Sequence, residues 1–229
     1  MLMQKKGKFD EIYFKGWYKN AVGNFNKKDI EISKNWFYSW IEKLNQYVPV
    51  KTGKGKKVLE IGCSIGAVSN ILSSRGFDVW ATDISAYAVK NAKKLTPKAH
   101  FSVVDIQKKI QIKEKFDIVI CFEVVEHLEK PEVGIKNMVD KLKEGGKLVV
   151  STPYPYWWNN DPTHINLKNP NEWIVLLKQA DLRNVEFHRF MLIPFFYRFN
   201  KRFQFVLPFS LPIPYINSPI FFIGTKQKK

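Results

Sequence analysis

Five short stretches of the chain carry residues whose types and spacing could do chemistry. Glu60-Ile61-Gly62-Cys63-Ser64-Ile65-Gly66 offers a tight turn. Its glycines let the backbone approach a ligand, and the helix that follows aims its N-terminus at the same place. Asp83 lies 21 residues beyond Gly62, the distance at which an acidic side chain meets ribose hydroxyls. Asp105 and then Phe122-Glu123 close two further apolar runs. In Glu123-Val124-Val125-Glu126-His127, a helical turn puts Glu123 and His127 on one face with Glu126 beside them. The loop from Pro153 to Asn166 holds Tyr154, Tyr156, Trp157, Trp158 and His164. Its rings could line an acceptor pocket, and an imidazole there could take a proton from a hydroxyl or amine.

These stretches need a frame that brings them together. Strand–helix alternation begins at Lys57, with strands expected at 58–61, 78–82, 101–104, 116–121 and 147–152. Helices are expected at 66–75, from a Ser85 cap to about Leu95, and from Pro131 until Gly145-Gly146 stops it. Asn169-Pro170-Asn171-Glu172 reads as a capping box opening a helix to about Ala180. The alternation implies a three-layer, doubly wound α/β fold with a mostly parallel sheet. Ligands of such sheets bind beyond the carboxyl ends of the strands, where every candidate above is placed. Residues 1–50 read as an aromatic arm and helical cap, the helix starting at an Asp29 cap with Ile32, Trp36, Trp40 and Leu44 on one stripe. Residues 51–229 form the main domain.

Composition sets outer limits. At 229 residues, 45% hydrophobic and 25% charged, the chain is globular and neither disordered nor collagen-like. Its formal charge of +16 favours anionic partners, but nearly all the excess is lysine; the arginines are Arg75, Arg183, Arg189, Arg198 and Arg202. A lysine surplus of this kind is commonly a solvated surface. Cys63 and Cys121 both lie in apolar runs, with no zinc spacing and no disulfide framework. The first residues, MLMQKKGKFDEIYF, contain no apolar signal core, so a cytoplasmic, reducing location is expected.

Two cofactor classes compete for the glycine turn. A dinucleotide fingerprint read from Gly62 gives Gly62, Ser64 and Ala67, without the central glycine that lets a pyrophosphate approach. A cofactor without phosphate asks less of the loop. The combination of VLEIGCSIG (58–66), Asp83, VVDI (103–106), FDIVICFEVVEHL (116–128) and GGKLVVSTP (145–153) resembles class I S-adenosylmethionine-dependent methyltransferases, over roughly residues 56–182. CFEVVEHL is most similar to the small-molecule branch that contains the ubiquinone-pathway O-methyltransferases. Ser64 departs from that family's usual middle glycine. The resemblance implies a Rossmann-like sheet of seven strands whose last pair is antiparallel. It assigns Glu60, Gly62, Cys63, Ser64 and Gly66 to the methionine half of the cofactor and Asp83 to the ribose. Ile84 goes to the adenine face, Asp105 and Ile106 to the adenine edge, and Phe122 beside the methionine. The alternative is that Asp83 and Asp105 are strand-end turn residues.

Roles at the acceptor end stay open. Glu123, Glu126 and His127 could hold a hard divalent ion that assists deprotonation, or form a structural turn. His127 and His164 are the candidate catalytic residues, His164 either as base or as orienter of the acceptor loop. Phe122-Glu123-Val124-Val125 stands where DNA amino-methyltransferases carry Asp/Asn-Pro-Pro-aromatic, which argues against DNA base methylation and makes a nucleic acid partner the less expected one. The expected function is methyl transfer from S-adenosylmethionine to a small-molecule or lipid-linked acceptor, at oxygen. Its rivals are an RNA or protein methyltransferase using the basic surface and a non-catalytic cofactor-binding partner protein. An apolar Pro/Phe-rich insertion, about 192–218, is bracketed by cations and reads as a lid or as peripheral contact with an anionic membrane.

Overall fold

The computed structural model describes residues 9, 11–14, 27–155, 161–189, 191–192, 206–207 and 219–228. Elements run α1 (Lys27–Leu44), β1 (Lys57–Ile61), α2 (Ala67–Ser74), β2 (Asp78–Asp83), α3 (Ala86–Leu95), β3 (His100–Val103), β4 (Phe116–Phe122), α4 (Pro131–Lys141), β5 (Leu142–Thr152), α5 (Pro170–Gln179), β6 (Leu182–Arg189), β7 (Met191–Leu192), β8 (Val206–Leu207) and β9 (Ile220–Lys226). The sheet order is β3-β2-β1-β4-β5-β9-β6. β1, β2, β3, β4 and β5 pair in parallel, and β9 runs antiparallel between β5 and β6. The doubly wound sheet with an antiparallel closing strand is therefore as expected. Strand order reverses between β1 and β4, which opens a crevice at their carboxyl ends.

Side-chain alternation in the central strands builds two cores. On one face Val58, Ile118, Ile120, Val149, Phe221 and Ile223 pack under α1 and α2 through Trp40, Ile41, Leu44, Val68 and Leu72. On the other, Leu59, Val119, Leu148, Val150 and Phe222 pack under α4 and α5 through Ile135, Met138, Trp173 and Leu177. Trp40 is 2% exposed; truncating a ring buried that deeply costs roughly 3–5 kcal/mol. The α1 stripe is thus part of the sheet's own core.

Local signals hold in several places and yield in others. Ser85 accepts a hydrogen bond from the Ala88 N–H, and the Asn169/Glu172 capping box is complete. α1 begins at Lys27, two residues before the expected Asp29 cap. Gly145-Gly146 does not stop a helix: α4 ends at Lys141 and β5 already starts at Leu142. Pairing of β5 with β4 shifts register there, Phe116 opposing Leu142 and Ile118 opposing Lys147. Gly145 takes the left-handed φ of 72° that such a bulge needs. β6 starts at Leu182 and passes through an irregularity that includes Asn184 at φ 49°. Of the insertion at 192–218, β7 and β8 pair with each other, and the remainder lies outside the described residues. No helix among the described residues is long and apolar enough to cross a membrane.

Candidate functional site

A cavity of about 450 Å³ opens at the crevice, within the roughly 300–1,000 Å³ usual for ligand sites. Its first half is built from backbone. Gly62 and Cys63 donate their N–H groups to the Thr82 carbonyl, tying the turn after β1 to the end of β2. Gly62 has φ 75°, and a Cβ there would stand 2.2 Å from Val124 Cγ2. Ser64 also adopts a left-handed φ, 49°, and so aims its N–H at Asp83 Oδ2, 2.8 Å away. Asp83 Oδ1 accepts from the Ser85 N–H at 2.9 Å. One carboxylate thus locks the glycine turn to the start of α3. Burial raises the Asp83 pKa above the usual carboxylate value, against the pull of the N–H donors.

Beside Asp83 the cavity wall is apolar. Ile84, half exposed, and buried Ile106 line it with Val104, and Asp105 sits between them with Oδ1 accepting the Gln107 N–H. Phe122 forms the floor, parallel to Phe37 at 6.3 Å and edge-on to Trp40 at 5.3 Å. Glu60, Cys63 and Gly66 do not line the cavity. Glu60 is buried behind the turn and accepts the Ser69 hydroxyl; burial pushes its pKa up to about 8. Cys63 packs with Ala81 and Ala92. Gly66 caps α2 at φ 85°, where a Cβ would meet Ala92. These three hold the turn from behind.

The second half is built from side chains. Glu123 takes φ 54°, and its Oε1 accepts the Ser151 hydroxyl at 2.9 Å; burial pushes its pKa up to about 7. Glu126 is fully buried, with Oε1 3.9 Å from His127 Nε2. Burial first, and the Glu123 charge second, lift its pKa well above the usual value. Asn166 ties the loop after β5 to this turn through the Glu126 carbonyl. His127 Nδ1 lies 3.0 Å from both the Thr163 carbonyl and the Thr163 hydroxyl. A carbonyl only accepts, so in the neutral ring Nδ1 carries the proton and Nε2 is the basic nitrogen.

The His164 ring lies 4.8 Å from that of His127, and its Nε2 lies 3.6 Å from Asp161 Oδ2. Asp161 Oδ1 accepts the Thr163 N–H and hydroxyl at 2.8 and 2.6 Å. Burial alone would raise Asp161, but those donors and the two imidazoles hold it below the usual value. Both candidate histidines therefore line the same cavity.

Several lining residues were not read as such from the sequence. Phe9, Tyr13 and Phe14 reach the cavity from the N-terminal arm, and Trp36, Phe37 and Trp40 from α1. Tyr13 hydrogen-bonds to Thr163, and burial, with the Asp161 charge, pushes its phenol up to about 12. The Asp161-x-Thr163 spacing, typical of a side-chain turn, is the one local signal that pointed at Asp161. Tyr156, Trp157 and Trp158 of the acceptor loop lie outside the described residues.

The expected metal group is rearranged. Glu126, His127 and His164 offer one ligand atom each within 4.8 Å, while the Glu123 carboxylate is held by Ser151. A hard ion wants six or more oxygens. One buried carboxylate and two imidazoles do not fit it; only a borderline ion of the zinc type would match these donors.

A methyltransferase-domain family matches residues 33–187. The chain belongs to that family. Over 104 residues this methyltransferase-family chain is 38% identical to the mitochondrial ubiquinone biosynthesis O-methyltransferase of Schizosaccharomyces pombe, covering 43% of this chain and 38% of that protein. It is 35% identical over 105 residues to the ubiquinone biosynthesis O-methyltransferase of Coxiella burnetii, covering 44% and 45%. The matches span less than half the length of these relatives. A solved S-adenosylmethionine-dependent methyltransferase of Thermotoga maritima superposes with TM-score 0.66 at 15% identity, over 93% of this chain and 100% of that one. That likeness establishes the Rossmann-like methyltransferase fold.

Proposed function

We propose that this methyltransferase-family protein transfers a methyl group from S-adenosylmethionine to a hydroxyl of a small-molecule or lipid-linked acceptor. The observation that carries this reading is the joining, in one cavity, of the Asp83-locked turn and the His127/His164 pair. The residues fit the cofactor: each Asp83 oxygen keeps a lone pair for a ribose hydroxyl, and Ile84 and Ile106 offer faces to a base. When bound, the cofactor supplies a methyl group already activated by its sulfonium charge. The chain's own residues then have two tasks. Phe122, Trp36 and Phe37 exclude water and fix alignment for in-line transfer. His127 Nε2 would take the proton of the acceptor hydroxyl, with Thr163 holding the ring.

The similarity to ubiquinone-pathway O-methyltransferases supports oxygen as the acceptor atom. Calorimetry with S-adenosylmethionine, followed by labelled methyl transfer to small-molecule, lipid and RNA fractions side by side, tests the proposal. Label in an ether-linked small or lipid product is expected. Label confined to RNA, or no cofactor binding by the folded protein, would overturn it.

A further inference from the structure

The chain has 37 Lys and Arg against 21 Asp and Glu, yet no Lys or Arg is among the described residues that line the cavity. Its ionisable wall is Asp83, Asp105, Glu123 and Asp161 with His127, His164 and Tyr13. Among the described residues, then, the cavity of this strongly basic protein is lined by carboxyl groups, imidazoles and a phenol but by no cationic Lys or Arg. Asp83 and Asp105 belong to the cofactor end, which leaves Glu123 and Asp161 facing the place where an acceptor would sit. Asp161 is the better fixed of the two, its Oδ1 held by two Thr163 donors and its Oδ2 beside the His164 ring. Its side chain remains 28% exposed.

We propose that the acceptor end selects neutral or cationic acceptors and excludes anionic ones, with Asp161 as the specificity-determining residue. The inference rests on the methyl-transfer reading above and deepens it. A carboxylate several ångströms from an acceptor's charge, in a site of intermediate dielectric, changes affinity about tenfold per unit charge. A phosphate or carboxylate on the acceptor meets this field with the wrong sign. The same field acts on the cofactor: S-adenosylmethionine carries a sulfonium charge that S-adenosylhomocysteine lacks, so the carboxylates favour the first over the second.

The test uses the full chain in excess chelator, so that no adventitious divalent ion offsets the carboxylates. Calorimetry compares S-adenosylmethionine with S-adenosylhomocysteine on the wild type and on Asp161→Asn, an isostere that keeps acceptors for the Thr163 donors. Asp161→Asn is expected to weaken the cationic ligand about fivefold and to change the neutral one by less than about twofold. Three dihydroxybenzene probes then report on the acceptor end: dopamine (cation), 4-methylcatechol (neutral) and 3,4-dihydroxybenzoate (anion). The anion should be the poorest by about tenfold in binding and turnover, and Asp161→Asn should close that gap. An anionic probe accepted as well as the neutral one would overturn the proposal, as would an unchanged ratio of the two cofactor affinities in Asp161→Asn. Should none of the probes bind, the cofactor ratio alone decides. Failure of the folded wild type to bind S-adenosylmethionine would instead remove the methyl-transfer reading itself.

Discussion

The two halves of the cavity are held by different means. At the cofactor end, Gly62, Cys63, Ser64 and Ser85 make their bonds through backbone N–H groups, and the single side chain at the centre, Asp83, accepts two of them. At the acceptor end, Tyr13, His127, Asp161 and Thr163 hold one another largely through side chains brought from three distant parts of the chain. The first arrangement is part of the sheet and cannot change without disturbing the fold. The second can change one group at a time. A fold can therefore keep its cofactor geometry while its acceptor chemistry varies.

The largest effect should come from Glu60, which ties the cofactor turn to stability. Its pKa of about 8 in the folded protein lies above the ordinary 4.5. The folded state thus holds a proton that the unfolded chain releases as pH rises. This contribution is complete below pH 4.5 and lost by about pH 8, on the order of 4 kcal/mol for a group so buried. Glu123, at about 7, adds slope in the same window. The difference between wild type and Glu60→Gln, rather than either profile alone, isolates Glu60. Urea unfolding at pH 5 and pH 8 should show the wild type losing more stability than Glu60→Gln. Parallel profiles would place Glu60 outside the titration.

Next is Asp83→Ala, which should weaken S-adenosylmethionine binding by about 10- to 150-fold, the loss of roughly 1.5–3 kcal/mol in charged hydrogen bonds. Because Asp83 also accepts the Ser64 and Ser85 N–H groups, the variant should unfold more readily as well. Calorimetry and thermal unfolding on the same preparation would show whether affinity and stability fall together. Unchanged affinity in a folded variant would detach Asp83 from the ribose.

The contrast between the halves explains what could be read from the sequence. The cofactor turn is local: strand periodicity, glycines that need left-handed φ, and an acid at fixed distance leave their marks within about twenty-five residues. The acceptor end is not. His127 and Thr163 are 36 positions apart, and nothing in either neighbourhood announces the bond. Spacing alone could not tell that Glu123 turns to Ser151 while Glu126 is sealed in beside His127. The aromatic arm showed its rings, but the placing of Phe9 against His127 at 5.4 Å depends on tertiary packing. Gly145-Gly146 misled because strand pairing with β4 overrode the local helix-stop signal.

A smaller effect is expected from Thr163→Val. It removes the hydroxyl that lies against His127 and Asp161 but leaves the carbonyl that holds His127 Nδ1. Stability should fall by about 1 kcal/mol, with S-adenosylmethionine affinity unchanged within about twofold and turnover reduced. A loss of cofactor affinity equal to that of Asp83→Ala would break the division between the halves.

The smallest effect should be that of removing divalent metal. Glu126, His127 and His164 converge within 4.8 Å, but a hard ion at that point would have to work against the burial that raises the Glu126 pKa and accept two nitrogens in place of oxygens. It would also lack Glu123, whose Oε1 stays with the Ser151 hydroxyl. Protein treated with excess chelator is expected to bind S-adenosylmethionine as before and to keep its turnover, and added magnesium or manganese should change neither. The opposite result is specific. If activity falls with the chelator, returns with magnesium, and does not return in Glu126→Gln, then Glu126 must ionise on metal binding. The acceptor end would in that case be assembled by the ion, and the side-chain network from Tyr13 to Asp161 would serve to orient its ligands.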